Sequence, residues 1–109
     1  KSWKLVSCIF GEVILYVVNF DKKSRNYLQK KKILLNDKNK KIVLIPPHFA
    51  NAYLCRSRKC VFHYKFAYKG KYADVKDQLS IRWNDPVLKI KWPLKKPILS
   101  RRDKNSKLL

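Results

Sequence analysis

The stretch CVFHYKFAY, residues 60–68, carries an aromatic ring at every second position: Phe62, Tyr64, Phe66 and Tyr68. This spacing constrains the fold more than any other feature of the chain. A period of two is the repeat of a β-strand, whereas a helix would gather its apolar residues every three or four positions. Other runs agree. WKLVSCIF (3–10) and EVILYVVNF (12–20) are rich in β-branched and aromatic residues and part at Gly11, and KIVLI (41–45) stops at Pro46 and Pro47. The spacers DKKSRN (21–26) and NDKNK (36–40) have turn chemistry, rich in Asp, Asn and Lys. No segment shows a long helical period with caps. Short strands at near-regular spacing indicate an all-β sandwich or barrel.

At 109 residues the chain is long enough for one core and too short for two of ordinary size. One domain over residues 1–103 is expected, with 104–109, KNSKLL, as a loosely tethered tail. Hydrophobic residues make up 46% of the chain, which argues against disorder although 31% are charged. The chain opens at Lys1 and has no methionine, which fits a processed product, a fragment or part of something longer. No apolar run approaches the roughly 20 residues of a membrane span, and no signal pattern opens the chain. A soluble, cytoplasmic protein without a membrane partner is the expectation. The three cysteines, Cys8, Cys55 and Cys60, form an odd set without CxxC or zinc spacing, and read as buried free thiols of a reducing compartment. Two scattered histidines, His48 and His63, do not supply a metal site.

Twenty-seven basic residues against seven acidic ones give a net charge of +20. An excess of that size suggests an anionic partner, but the lysines are scattered and their sharpest runs, QKKK and DKNKK, flank turns and exposed strand ends. A nucleic-acid barrel needs exposed aromatics interleaved with basic residues on one strand face. Here the aromatics of residues 62–66 are expected to look inward, so no nucleic-acid partner is expected.

Alternation sorts the side chains further. Phe62, Tyr64 and Phe66 share one face of their strand, and His63 and Lys65 the other. Tyr64 is then either a core phenol bonded to the backbone or a phenol placed for use. Lys4 alternates with Val6 and Cys8, as a snorkelling edge residue or as a cation set in a pocket.

Six blocks carry a resemblance. KLV, GEV, IPPHFANAYL, YK, IRWNDPVLKIKWP and PILSRRD follow one another in an order and spacing similar to the nucleotide-sugar 3,5-epimerases, the family of dTDP-4-dehydrorhamnose 3,5-epimerase, from about Trp3 to Asp103. The resemblance implies a cupin-type jelly roll, incomplete at its N-terminus, that binds its sugar inside the barrel. It implies a homodimer without metal or redox cofactor. The substrate implied is a nucleotide-linked 4-keto-6-deoxy sugar of surface polysaccharide synthesis, inverted at C3, C5 or both. A base removes the proton beside the keto group, an enolate forms, and an acid returns a proton to the other face.

By the same resemblance Tyr64, of YK, is the acid, Lys4, of KLV, steadies the enolate oxygen, and Asp103, ending PILSRRD, orients the base. The base itself is a histidine in an RGxHxQ motif upstream of KLV, and this chain opens three residues before its own KLV. Asn51 stands where the family often has the histidine of FAHGF, and is expected to bind substrate by donating a hydrogen bond. Leu15 stands where an aspartate is common and cannot replace it. His48 is expected at the surface, and His63, facing away from Tyr64, in a structural role.

Three functions follow from these observations: an epimerase whose base lies outside these residues, a non-catalytic relative that binds nucleotide sugar or pairs with another subunit, and a basic nucleic-acid barrel. The aromatic pattern disfavours the third.

Overall fold

Gly11 marks where the chain first leaves one sheet for another. Its φ is 84°, and a Cβ there would meet the Lys59 carbonyl oxygen and the Ser57 hydroxyl, so only glycine fits. The structure is a computed structural model that describes residues 3–67, 84–93, 97–99 and 101–106, so Tyr68 lies outside the described residues. Among the described residues six strands form: β1 (Trp3–Phe10), β2 (Glu12–Asn19), β3 (Lys30–Asn36), β4 (Ile42–Ile45), β5 (Phe49–Cys55) and β6 (Val61–Ala67). They pair in two antiparallel sheets of three, ordered β4-β1-β6 and β3-β2-β5. The all-β expectation holds. Two compact units are distinguished, Lys1–Lys71 with all six strands and Tyr72–Leu109. The second contains a 3-10 turn at Pro86–Leu88 and one helical turn, α1 (Arg101–Lys104). Among the described residues no helix is long and apolar enough to cross a membrane.

Alternation decides which side chains meet. On β1 the inward residues are Lys4, Val6 and Cys8, opposite Phe66, Tyr64 and Phe62 of β6. From the other sheet come Val13 and Leu15 of β2 and Leu35 of β3. Val6, Cys8, Val13, Leu15, Leu35 and Ile45 form the buried core, with Val17, Ile33, Val43, Phe49, Cys60 and Phe62 packed around it. Outward residues of the first sheet stay open to solvent: Trp3, Leu5, Ile9, Ile42 and Leu44 are all exposed.

The connections are held by the turn residues that mark them in the sequence. In residues 21–26 the Asp21 carboxylate accepts from Lys23 N at 3.0 Å and the Ser24 hydroxyl from Asn26 N at 3.0 Å. Buried Asn19 accepts from Asp21 N at 2.9 Å, which secures the start of that loop. In residues 36–40, Asn36 Oδ1 accepts from Asn39 N at 2.7 Å and from Lys38 N at 3.0 Å. Corners are also tied to one another. Gly11 N donates to Asp37 Oδ2 at 3.1 Å while Asp37 N donates back to Gly11 O at 3.3 Å. Glu12 N donates to Ser57 Oγ at 3.0 Å, and Arg56 N to Glu12 O at 2.9 Å.

Leu34 and Leu35 test the sidedness of β3, since Leu35 is fully buried and Leu34 is 41% exposed. Leu35→Ala is expected to cost about 2–5 kcal/mol in urea unfolding, by lost transfer energy plus a cavity. Leu34→Ala should cost clearly less; equal losses would contradict this register.

Candidate active site

Lys4 is placed inside by its register on β1, opposite Ile45 of β4 and Phe66 of β6. An ammonium between two largely apolar sheets needs partners to offset its desolvation. It has them. Lys4 Nζ donates to Asn51 Oδ1 at 2.9 Å, across the space between the sheets. It also lies 5.6 Å from the centroid of the Phe66 ring, within cation–π range.

Aromatic contacts continue from there. Phe66 meets Tyr64 edge to face, with centroids 5.1 Å apart and planes at 83°. Tyr64 lies 6.3 Å from Phe62, and Phe62 stacks on Tyr53 of β5 at 4.0 Å and 18°. Tyr53 and Asn51 are two apart on β5 and share its inward face. The contacts therefore close a circuit: Lys4, Phe66, Tyr64, Phe62, Tyr53, then along β5 to Asn51 and back to Lys4. Tyr64 is 51% exposed and Tyr53 49% exposed, so this circuit rims an accessible cleft. Tyr64 faces inward as its alternation requires, yet it stands on an open wall and not in the packed core.

Lys4, Asn51 and Tyr64 are thus brought together, Tyr64 being a diagonal neighbour of Lys4 at a typical spacing of about 7–8 Å. Asp103 lies exposed on α1, in the other compact unit. Tyr53 is the residue that sequence reasoning missed; the inward parity of Asn51 could have found it, since both lie on one strand face. Leu15 is fully buried in the core and paired with Tyr53 and Ile33, so this position serves packing.

His48 is exposed, with a φ of 71°, in the turn before β5. Its carbonyl accepts from Phe20 N at 2.8 Å. His63 is exposed on the outward face of β6, opposite Ser7. Neither imidazole lines the cleft. Among the described residues no group of three or more His, Cys, Asp or Glu converges as metal ligands. The NDP of the WNDP block has a local role: buried Asp85 caps the turn Pro86–Leu88, its carboxylate accepting from Val87 N at 2.9 Å, with Pro86 at the first position.

Two facing antiparallel sheets with polar and aromatic groups between them define a cupin-type jelly roll with an interior cleft. The chain belongs to the dTDP-4-dehydrorhamnose 3,5-epimerase family, whose model matches residues 1–109. It is 34% identical to the dTDP-4-dehydrorhamnose 3,5-epimerase of Methanothermobacter thermautotrophicus over 97% of this chain and 57% of that one. It is 35% identical to the same enzyme of Salmonella typhimurium, again over 97% and 57%. The chain spans about half the length of the curated relatives it matches. Among solved structures it is similar to the dTDP-6-deoxy-D-glucose-3,5-epimerase of Legionella pneumophila in complex with dTDP-4-keto-L-rhamnose, with TM-score 0.88 and 33% identity over 98% of this chain and 56% of that chain. The Bacillus anthracis dTDP-4-dehydrorhamnose 3,5-epimerase with TDP and PPi bound gives TM-score 0.90 and 28% identity, over 99% and 60%.

A double-mutant cycle tests the inter-sheet contact. Asn51→Ala and Lys4→Met should show a coupling of about 0.5–1.5 kcal/mol in urea unfolding, as expected for a hydrogen bond to a partly exposed charge. Strict additivity would mean that the two side chains do not meet in solution.

Proposed function

We propose that the chain is the sugar-binding and proton-returning part of a nucleotide-sugar 3,5-epimerase, acting on a dTDP-linked 4-keto-6-deoxy sugar for surface polysaccharide synthesis. The observation that carries this reading is the Lys4–Asn51 hydrogen bond across an aromatic-lined cleft. The ammonium is held where it stabilises the oxyanion that develops as the carbon beside the keto group loses its proton. With its Oδ1 accepting from Lys4, Asn51 turns its NH2 to the sugar or keto oxygen. Tyr64, on the open wall next to Phe66, donates its O–H proton to the enolate carbon from the face opposite the base.

The base comes from outside residues 1–109, since both histidines of the chain are exposed away from the cleft. Asp103 orients that base. No metal or redox cofactor takes part, and the enzyme works in the cytoplasm as a homodimer. The exposed apolar face of Trp3, Leu5, Ile42 and Leu44 supports pairing, because contiguous apolar patches on a sheet usually mark an interface. Light scattering at micromolar concentration should give a dimer that Leu44→Lys dissociates; a monodisperse monomer of the unaltered chain would contradict it.

The chemistry is read in heavy water with a dTDP-linked 4-keto-6-deoxy sugar. The 109-residue chain should incorporate deuterium at C3 or C5 very slowly. Joining it to a segment carrying the RGxHxQ motif should raise exchange by about 10² to 10⁴, the usual worth of a positioned base. In that longer protein Tyr64→Phe should block inversion more than the first loss of substrate hydrogen. Rapid exchange by the 109-residue chain that survives both Tyr64→Phe and Lys4→Ala would overturn these roles.

A further inference from the structure

At the end of the interior away from Lys4 and Asn51, three cysteines distant in sequence face the same space. Cys8 follows Lys4 and Val6 on the inward face of β1. Cys55 ends β5, in line with Asn51 and Tyr53. Cys60 immediately precedes β6, in line with Phe62, and packs against the core that contains Cys8. All three are free thiols. Residues 56–59 carry the chain from one sheet to the other, and this corner is fixed to the start of β2 through Ser57 and Arg56. Cys55 Sγ donates to Ser57 O at 3.2 Å, and the Cys60 thiol in turn donates to the Cys55 sulfur.

We propose that Cys55 and Cys60 are a disulfide-forming pair, closed by exchange with an oxidised low-molecular-weight disulfide, which staples β5 of one sheet to β6 of the other. Only the four residues of an anchored corner separate the pair in sequence, whereas Cys8 is turned to the Phe10 carbonyl, to which its thiol donates at 3.2 Å. Burial, and then the hydrogen bond to Cys55, push the Cys60 thiol up to about 12. Cys60 therefore keeps its proton, and Cys55 attacks first. The Cys55 thiolate breaks the sulfur–sulfur bond of the small disulfide, forms a mixed disulfide and releases one small thiolate. That step removes the hydrogen bond and the charge that held the Cys60 proton. The Cys60 sulfur then attacks Cys55 Sγ, forms the protein disulfide and releases the second small thiolate. Two electrons pass from the two cysteine sulfurs to the small disulfide, and the two protons leave on its two thiols.

The sequence makes the linkage easy to read. Trypsin cuts after Lys41, Arg56, Lys59 and Lys65, so Cys55 and Cys60 fall in separate peptides, 42–56 and 60–65, and Cys8 in a third, 5–22. The full chain is treated with oxidised glutathione under native conditions, alkylated, digested and weighed. The expected result is peptide 42–56 joined to 60–65, two hydrogens lighter than the sum and released by dithiothreitol. In Cys60→Ser the reaction should stop at a glutathione adduct on Cys55. Complete alkylation of Cys55 and Cys60 in the unaltered chain would overturn the proposal. So would a link confined to Cys8, a link between chains, or a link formed only in urea. These readings of the unaltered chain decide the matter even if Cys60→Ser does not fold.

Discussion

The hydrogen bond from Lys4 to Asn51 is the interaction around which the cleft is organised. A cation facing inward from β1 would be expelled toward water unless the opposite sheet offered it an acceptor. Asn51 offers a carbonyl oxygen and Phe66 a ring face, and neither of these two groups carries a charge of its own. A carboxylate there would have formed an ion pair and taken the charge out of use. An amide brings no opposing charge, which suits the enolate stabilisation proposed for Lys4.

This contact depends in turn on the corners. Lys4 and Asn51 lie on strands of different sheets, so their distance is set by how tightly the connections hold the sheets face to face. Gly11 with Asp37, and Glu12 with Ser57 and Arg56, tie three of those connections by paired hydrogen bonds. The core of Val6, Leu15, Leu35 and Ile45 fills the space between them. The cleft thus opens where packed aliphatic residues give way to aromatic rings.

Local pattern made part of this legible and long-range pairing hid the rest. Sequence pattern finds β1 over residues 3–10 to the residue, and β2 and β6 within a residue at their ends, because β1 and β6 alternate and β2 is one continuous apolar, β-branched run buried on both faces. It passes over β3, where Lys30, Lys31 and Lys32 are all exposed and only Ile33 and Leu35 mark the buried side. The large positive charge is equally plain in composition, and the structure shows these lysines, with those of residues 38–41, directed to solvent. The inward parity of Lys4 and Tyr64 can be read from their own strands. That Asn51 faces Lys4 cannot, since nothing local relates β5 to β1. Tyr53 follows from Asn51 by parity on β5, but its stacking on Phe62 of the other sheet is as hidden as the Lys4 contact.

The order in which the chain visits the two sheets bears on how such a molecule comes into being. Among the six described strands only the β2–β3 connection stays within one sheet, and the other four cross. The middle strand β1 takes its neighbours from β4 and β6, and β2 takes its second neighbour from β5. On a ribosome, therefore, β1 waits for β6, and the β4-β1-β6 sheet cannot close until residue 67 has emerged. Topologies of this kind fold slowly, because loop closure must come before the contacts that reward it. Among the described strands β3 is an edge of its sheet, and three exposed lysines there disfavour edge-to-edge pairing between copies of the chain. A basic edge of this kind bears on the chain before the cleft exists as well as after.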